Sequence, residues 1–254
     1  MGKNKLKKFA EMEQLPNVFQ CSMKDLAPDH PVVRMAGRWR DAYFRNGNPL
    51  VLELGCGHGE YTVGLARRCP DINFIGIDIK GARMWAGARL AHEDRLPNVA
   101  FLRTSIEWLP SFFAAGEVDG LWITFPDPQM KKASKRLTST FFMQRYLRVM
   151  RSGGLINLKT DSPFLYTYTR AMLEENACNV IADTDNLYAC NLQDPRFAEA
   201  GALQTHYEHQ WLDRGLTIKY LCWKLEERDE WREPDIEIEK DTYRSYGRNY
   251  TVSQ

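Results

Sequence analysis

The sequence predicts an α/β fold in which a mostly parallel, seven-stranded sheet carries helices on both faces. Short apolar runs, typical of buried strands, alternate with helical patterns along most of the chain. One such run is followed at once by three alternating glycines, Gly55, Gly57 and Gly59. Glycine tolerates positive φ and has no Cβ, so the backbone there can turn sharply and lie against a ligand. This strand and loop predict the nucleotide-binding half of a Rossmann-like fold.

The remaining elements follow in order from hydrophobic runs, turn residues and helical periodicity. Strands are predicted at about 49–54, 73–78, 99–103, 118–124, 154–160, 178–183 and 219–225. Helices are predicted at about 31–46, 59–69, 81–95, 106–115, 138–151 and 164–176. The region 185–215 is polar and irregular, and loops of that length inside a compact domain are usually functional or disordered.

The helix predicted at 138–151 has the clearest period. Its apolar residues recur at i, i+3, i+4 and i+7, as an amphipathic helix requires: Met143, Tyr146, Leu147 and Met150. Gly153 and Gly154 follow directly and are expected to end it.

Length and composition favour one large domain with short extensions. The 254 residues divide into a basic N-terminal arm at 1–30, a main domain at 31–225 and a charged extension at 226–254. The arm is either a solvated tail or a phosphate-binding segment. The extension carries nine acids between 226 and 241, and it is expected to be a solvated tail. A net charge of +1 provides no global field for nucleic acid, so such affinity must come from local clusters.

Cysteine usage and hydropathy predict a soluble, cytoplasmic protein with no metal site. The six cysteines include no C-x-x-C pair, and scattered thiols fit a reducing compartment. No stretch approaches the roughly 18 apolar residues of a membrane span, and no signal peptide is evident.

Two acids near the glycine loop indicate the cofactor. Asp78 ends the second predicted strand, 19 residues after Gly59, where an acid can take ribose hydroxyls. Glu53 lies two residues before Gly55; its charge would repel a pyrophosphate but suits the cationic S-adenosyl-L-methionine. A nucleoside cofactor is therefore expected, although such a loop can also be a simple strand-to-helix turn.

Four further features are expected at the same sheet edge, where ligands of doubly wound sheets bind. Asp127 lies between two prolines in a stiff loop that could orient a substrate. A cluster of cations follows and could bind phosphate: Lys131, Lys132, Lys135 and Arg136. Asp161 ends the fifth predicted strand, and Thr205 and Glu208 have the spacing of a capping box.

Together these motifs resemble the bacterial tRNA (guanine-N7)-methyltransferase family. The shared order is E-x-G-x-G-x-G, G-I-D, F-P-D-P-x-x-K-K, K-T-D and T-x-Y-E, over residues 50–225. The resemblance implies a class I methyltransferase fold, S-adenosyl-L-methionine as cofactor, and methylation of N7 of guanine 46 in the variable loop of tRNA. The assembly is expected to be a monomer or a homodimer.

The resemblance also implies residue roles. Glu53, Asp78 and Asp127 would contact the cofactor, and Asp127 would also be catalytic. Lys131, Asp161 and the stretch Thr205, His206, Tyr207 and Glu208 would contact the tRNA.

The chain departs from the family pattern at three places. Thr104 and Ser105 stand where the family has Asp-Ala beside the adenine, and they are carried over as cofactor contacts. Gln129 replaces a tryptophan after F-P-D-P. Ala133, Ser134 and Leu137 thin the basic block.

Three other functions remain open from the sequence. The glycine loop alone allows a nicotinamide-dependent oxidoreductase, although G-x-G-x-G with Glu53 does not match the dinucleotide fingerprint. A class I methyltransferase acting on another RNA, a protein or a small molecule would share the cofactor half. A non-catalytic tRNA-binding relative would retain the basic block.

Overall fold

The computed structural model describes residues 3–242. Its α-helices are α1 Lys3–Gln14, α2 Glu60–Arg68, α3 Gly81–Glu93, α4 Thr140–Leu147, α5 Pro163–Glu175, α6 Pro195–Ala202 and α7 His206–Leu212. Its strands are β1 Val18–Gln20, β2 Leu50–Leu54, β3 Asn73–Asp78, β4 Val99–Arg103, β5 Val118–Thr124, β6 Met150–Thr160, β7 Val180–Thr184 and β8 Lys219–Leu225.

The eight strands form one sheet in the order β1-β4-β3-β2-β5-β6-β8-β7. β1 pairs with β4, β4 with β3, β3 with β2, and β2 with β5, and all four pairings are parallel. β7 and β8 are antiparallel. The order reverses between β2 and β5, and this switch point is where doubly wound sheets bind their ligands.

The central strands are almost continuously apolar because a parallel sheet is covered on both faces. Leu50, Leu52 and Leu54 of β2 are all 0% exposed. Ile75 and Ile77 of β3 are equally buried. The sheet therefore forms the hydrophobic core. Glu53 of β2 and Lys159 of β6 are buried charged residues within it.

The described residues divide into two compact units. Unit 1 comprises residues 3–124, 145–156 and 225–227, and unit 2 comprises residues 125–144, 157–224 and 228–242. Unit 1 contains the glycine loop with α1 to α3 and the first five strands. Unit 2 contains α4 up to Gln144, α5 to α7 and most of β8. The division of the chain at residues 30 and 225 stays a prediction.

The N-terminal region is structured from residue 3 onward, which excludes the solvated-tail interpretation for these residues; the phosphate-binding alternative stays a prediction. Residues 3–14 form α1, and Val18, Phe19 and Gln20 extend the sheet by pairing with β4. Trp85 of α3 donates from Nε1 to Glu11 of α1 at 2.6 Å. Tertiary contacts thus order a segment whose composition alone predicts a solvated tail.

The helix predicted at 138–151 is also corrected. α4 ends at Leu147, and β6 begins at Met150 and runs through Gly153 and Gly154. A Cβ on Gly154 would lie 2.8 Å from the carbonyl oxygen of Asp119, so glycine allows close strand approach there instead of ending a helix.

Other predicted elements also differ in form. The helix predicted at 31–46 is a 3-10 turn, Val33–Met35, followed by a short π-helix, Trp39–Phe44. The helix predicted at 106–115 is a 3-10 segment, Ile106–Ser111, that contains Pro110. The region predicted as irregular, 185–215, includes α6 and α7.

Among residues 3–242, no helix is both long and apolar enough to cross a membrane.

Candidate active site

The glycine loop connects β2 to α2 and lies at the carboxyl end of β2. Gly55 and Gly57 have φ of +77° and +54°, which other residues rarely adopt. The N–H of Gly55 donates to the carbonyl oxygen of Ile77 at 2.8 Å and so fixes the loop against β3. A Cβ on Gly55 would meet no atom within 4 Å, and one on Gly57 would meet only the Gly55 oxygen, at 3.9 Å. The loop therefore leaves open space beside its backbone, which fits a nucleoside cofactor.

Gly59 has a different reason to be glycine. It is buried, with φ of +75°, and a Cβ there would lie 2.6 Å from the ring of Phe101 and 3.1 Å from Cα of Gly87. Gly59 therefore lets the start of α2 pack closely against β4 and α3. Its predicted contact with the cofactor stays a prediction.

Glu53 is buried within a set of hydroxyl and amide donors. Oε2 accepts from the Thr62 N–H at 2.8 Å and from the Thr62 hydroxyl, and Oε1 accepts from the Thr124 hydroxyl at 2.6 Å. Burial raises the pKa of the Glu53 carboxyl to about 7; hydrogen bonds from Thr124 and Thr62 oppose the increase, and Asp78 adds to it. Its carboxylate thus links β2, α2 and β5 at the base of the loop.

Asp78 ends β3 and holds the glycine loop directly. Oδ2 accepts from the Gly57 N–H at 2.9 Å, and Oδ1 accepts from the Lys80 N–H at 2.7 Å. A carboxylate has about four acceptor positions, so capacity for ribose hydroxyls remains. The backbone N–H of Thr104 donates to the Asp78 carbonyl at 3.2 Å. Ser105 follows in the chain and is partly exposed. The structure thus brings Thr104, one of the residues that depart from the family pattern, next to Asp78.

In unit 2, Asp127 is exposed on the loop that follows β5. Its Oδ1 accepts from the N–H of Gln129 at 2.9 Å, which closes a turn on the loop itself. Phe125 and Gln129 have positive φ of 49° and 47°, on either side of Asp127. Such conformations cost about 1–3 kcal/mol each and concentrate at functional sites. The loop is therefore restrained by the hydrogen bond from Gln129 to Asp127 and by two residues of positive φ, in addition to the two prolines that predicted its stiffness.

Arg136 does not belong to the exposed cation cluster predicted from the sequence. It is buried, and its guanidinium donates to the carbonyl oxygens of Gln129 at 3.3 Å and Met130 at 3.4 Å. It also lies 4.8 Å from the ring centre of Phe164 and 4.2 Å from that of Tyr168. Arg136 therefore supports the Asp127 loop from beneath. Only the three lysines of the cluster are exposed: Lys131, Lys132 and Lys135.

Lys159 and Glu208 form an ion pair with neither side chain exposed. The Lys159 ammonium lies 2.8 Å from Oε1 and 3.0 Å from Oε2 of Glu208, and it also donates to the carbonyl oxygens of Ala200 and Leu203. The Tyr188 hydroxyl donates to Glu208 at 2.5 Å. Desolvation lowers the pKa of Lys159, and Glu208 opposes that change.

This pairing bears on the predicted substrate stretch at 205–208. Thr205 and Glu208 do form a capping box at the start of α7. His206 and Tyr207 are exposed, and Nε2 of His206 lies 3.0 Å from the side-chain amide of Gln210. Glu208 instead faces the interior, so direct contact with a substrate would require its protein partners to be displaced. The structure therefore gives Glu208 a structural role that the motif alone does not reveal.

Asp161 is completely buried after β6. Burial lowers the pKa of Lys219. The negative charges of Asp161, Asp185 and Asp241 oppose this change but do not cancel it. The predicted contact of Asp161 with substrate stays a prediction, since a buried carboxylate reaches tRNA only where the surface opens beside it.

Sequence reasoning missed the partners that hold these acids. Thr62 and Thr124 could have been found, because a glutamate inside an apolar strand requires buried donors. The buried position of Lys159 could likewise have been inferred from the apolar strand around it. Tyr188 gave no comparable signal. Among residues 3–242, no cluster of three His, Cys, Asp or Glu side chains could hold a metal ion.

Comparison with known proteins identifies the class. A family model described as "Putative methyltransferase" matches residues 47–221. A 16S rRNA methyltransferase, KamB, covers 75% of this chain and 92% of its own, with a TM-score of 0.51 at 20% identity. An antibiotic-related methyltransferase covers 72% and 89%, with a TM-score of 0.52 at 15% identity. At those identities the likeness concerns the fold alone. The sheet order, the glycine loop and the acid that ends β3 thus define a class I methyltransferase.

Three curated relatives specify the family, and each is named tRNA (guanine-N(7)-)-methyltransferase. The Bacteroides fragilis protein is 55% identical over 98% of this chain and 96% of its own. That of Porphyromonas gingivalis is 56% identical over 94% and 97%, and that of Christiangramia forsetii is 47% identical over 88% and 99%. The chain belongs to the tRNA (guanine-N7)-methyltransferase family. These relatives give no support to the nicotinamide-dependent alternative.

Proposed function

We propose that this protein transfers a methyl group from S-adenosyl-L-methionine to N7 of a guanine in tRNA. The observation that carries the proposal is the name shared by relatives that are 47–56% identical over nearly the whole chain. The family motifs narrow the target to guanine 46 in the variable loop. tRNA is accordingly the macromolecular partner.

The geometry around the glycine loop supports S-adenosyl-L-methionine as the cofactor. Gly55 and Gly57 leave open space beside their backbone, and Asp78 retains acceptor capacity next to them. Thr104 and Ser105 lie beside Asp78, where a hydroxyl can replace the family's acid as an acceptor. The bound cofactor supplies an electrophilic methyl on a sulfonium. The contribution of these residues is to bind and orient it.

Guanine N7 is an in-plane lone pair that is unprotonated at neutral pH, so the reaction requires no general base. The protein has to orient the base, and such alignment can contribute several kcal/mol. Asp127 is suited to this because its exposed carboxylate is fixed by its own turn. A carboxylate can accept from N1–H and N2–H₂ of guanine and stabilise the positive charge that develops on the ring.

Substrate contacts are proposed for exposed groups of unit 2. Lys131 follows Asp127 closely and can neutralise a phosphate. Thr205, His206 and Tyr207 lie at the start of α7, where two side chains are exposed. We also propose that Asp161 contacts a base or ribose of the tRNA. Because Asp161 is buried, the nucleotide would have to leave its stack and enter the protein to reach it.

Label transfer from S-adenosyl-L-methionine to defined tRNA transcripts tests this function. One transcript carries guanine at position 46, and a matched transcript carries adenine there. Label in the first transcript alone, recovered as 7-methylguanine, is the expected result. Equal label in both would retain a methyltransferase but refute the target. Absence of label from both, with cofactor binding intact, would leave a non-catalytic relative or another substrate.

A further inference from the structure

The acidic C-terminal segment, defined here as residues 228–242, is part of unit 2 and is held by side-chain hydrogen bonds, so it is not the solvated tail that its composition predicts. Asn176, at the end of α5, anchors its first part. The Asn176 side chain donates to the Arg232 carbonyl oxygen at 2.7 Å and accepts from the Arg232 N–H at 2.8 Å. The Arg228 guanidinium donates to the backbone oxygen of Asn176.

Glu233 holds the middle of the segment. Its Oε1 accepts from the backbone N–H of Thr140 at 3.1 Å and from the Thr140 hydroxyl at 2.6 Å. Its Oε2 accepts from the Tyr168 hydroxyl at 2.6 Å. A carboxylate is favourable here because the first N–H groups of α4 have no partner within the helix.

Asp241 fixes the far end in the same way. It is 7% exposed, and Oδ1 accepts from the Phe164 N–H at 3.0 Å at the start of α5. Oδ2 accepts from the hydroxyl of Ser162, the N-cap residue of that helix. Two acids of the segment thus serve as helix caps, and the position of the neighbouring residues is fixed.

This placement brings the segment to the Asp127 loop. Within unit 2 a cavity of about 540 Å³ is lined by Asp127, Gln129, Met130 and Lys131 from the loop and by residues 240–242 from the segment. Ligand pockets for small molecules typically measure about 300–1,000 Å³. The cavity combines one exposed carboxylate with two exposed lysines, Lys131 and Lys240.

We propose that the C-terminal segment completes the pocket for the target nucleotide and that Lys240, together with Lys131, binds a phosphate of the tRNA there. This inference rests on the proposed function. A nucleotide matches the lining because it carries hydrogen-bond donors for Asp127 on its base and a negative charge for the lysines. Met130 adds an apolar wall for the base. Lys240 is therefore a substrate-binding residue on a segment that lies outside the family motifs.

Lys240→Ala tests the proposal, with Arg232→Ala as its matched control. Both variants remove one cation from the same segment, but the Arg232 side chain pairs with Glu230 and does not line the cavity. For Lys240→Ala we expect the KM for tRNA to rise roughly 3- to 10-fold and the slope of log affinity against log salt to fall by about one. The affinity for S-adenosyl-L-methionine, measured without tRNA, should not change. Lys240→Arg should restore tRNA binding, because it restores the charge.

Direct binding of the transcript without cofactor separates this proposal from the function itself. Wild-type protein that binds the transcript without methylating it would refute the function and leave the Lys240 comparison valid. Equal tRNA affinity and salt slope in Lys240→Ala and Arg232→Ala would overturn the role of Lys240. Absence of transcript binding by the wild-type protein would overturn both.

Discussion

The ammonium of Lys159 and the carboxylate of Glu208 meet at 2.8 Å with both side chains at 0% exposure. The contact joins β6 to the first turn of α7 and includes the Tyr188 hydroxyl and two carbonyl oxygens. A buried pair of this kind costs desolvation when it forms, but removal of one partner leaves an uncompensated charge. The T-x-Y-E motif therefore stabilises unit 2 through its last residue.

Glu208→Ala should therefore destabilise the protein by about 3–5 kcal/mol. Chemical denaturation followed by circular dichroism measures the change. The double variant Lys159→Met/Glu208→Leu is expected to recover much of the loss, since it leaves no unpaired charge. A Glu208→Ala protein of wild-type stability that has lost only tRNA affinity would instead support direct substrate contact.

Asp127→Asn should reduce methyl transfer by at least about 10²-fold, because the amide removes the charge that stabilises the developing cation. The turn to Gln129 survives, since the Asn side chain still has an oxygen acceptor. Single-turnover transfer at saturating tRNA gives the rate. Asp235→Asn, a change at another exposed acid of unit 2, serves as the control. Near-wild-type turnover in Asp127→Asn would contradict a catalytic role.

Asp78→Ala should weaken cofactor binding by more than tenfold and leave tRNA affinity within about twofold. The variant loses both the proposed ribose acceptor and the hydrogen bond from Gly57 that holds the loop. Isothermal titration with S-adenosyl-L-methionine and filter binding with tRNA provide the two affinities. Equal losses in both would argue against a cofactor role.

Glu53 should make stability depend on pH. Its pKa is about 7 in the folded protein, above the ordinary value of 4.5 for a glutamate carboxyl, so the native state holds the proton more tightly. Its contribution to stability is fully present below about pH 4.5 and is lost as pH rises through 7, for a total of up to about 3 kcal/mol. Thermal unfolding between pH 5 and 8 should show this slope in the wild-type protein.

The matched variants isolate that slope. Glu53→Gln cannot titrate, so the stability of the wild-type protein relative to this variant should decline as pH rises. Glu60→Gln removes an exposed acid from the first turn of α2 and should keep the wild-type slope. An identical pH dependence in wild-type protein and Glu53→Gln would exclude Glu53 as the titrating group.

The cations after Asp127 should separate into two kinds. Combined alanine substitution of Lys131, Lys132 and Lys135 should reduce the salt dependence of tRNA binding with little effect on stability, since all three are exposed. Arg136→Ala should instead lower the melting temperature, because it removes the support beneath the loop. Filter binding across a salt series and thermal unfolding measure the two effects. An Arg136→Ala protein of wild-type stability with a reduced salt dependence of tRNA binding would contradict the supporting role and indicate that Arg136 binds phosphate as the lysines do.

The sequence by itself determined the α/β class and, to within a residue, the positions of five strands: β2, β3, β4, β5 and β8. Their positions are encoded by local apolar runs and by glycines that few other residues can replace, so the predicted strand at 73–78 matches β3. The same local signals predicted the cofactor loop, Asp78 and the stiff loop around Asp127. The family motifs pointed to the tRNA methyltransferase family that the relatives support.

Only the tertiary structure decided features that depend on distant partners. A periodic helix pattern continued through Met150, but pairing within the sheet begins β6 at that residue. Arg136 and Glu208 belong to residue types that usually lie at the surface. They are buried here because the Arg136 guanidinium packs over the Tyr168 ring and Lys159 neutralises Glu208. The acidic segment is likewise held by distant partners, namely Asn176 and the backbone N–H groups at the starts of α4 and α5. Local pattern thus specifies where an element forms, whereas burial of charge depends on partners that the chain brings together from far along its length.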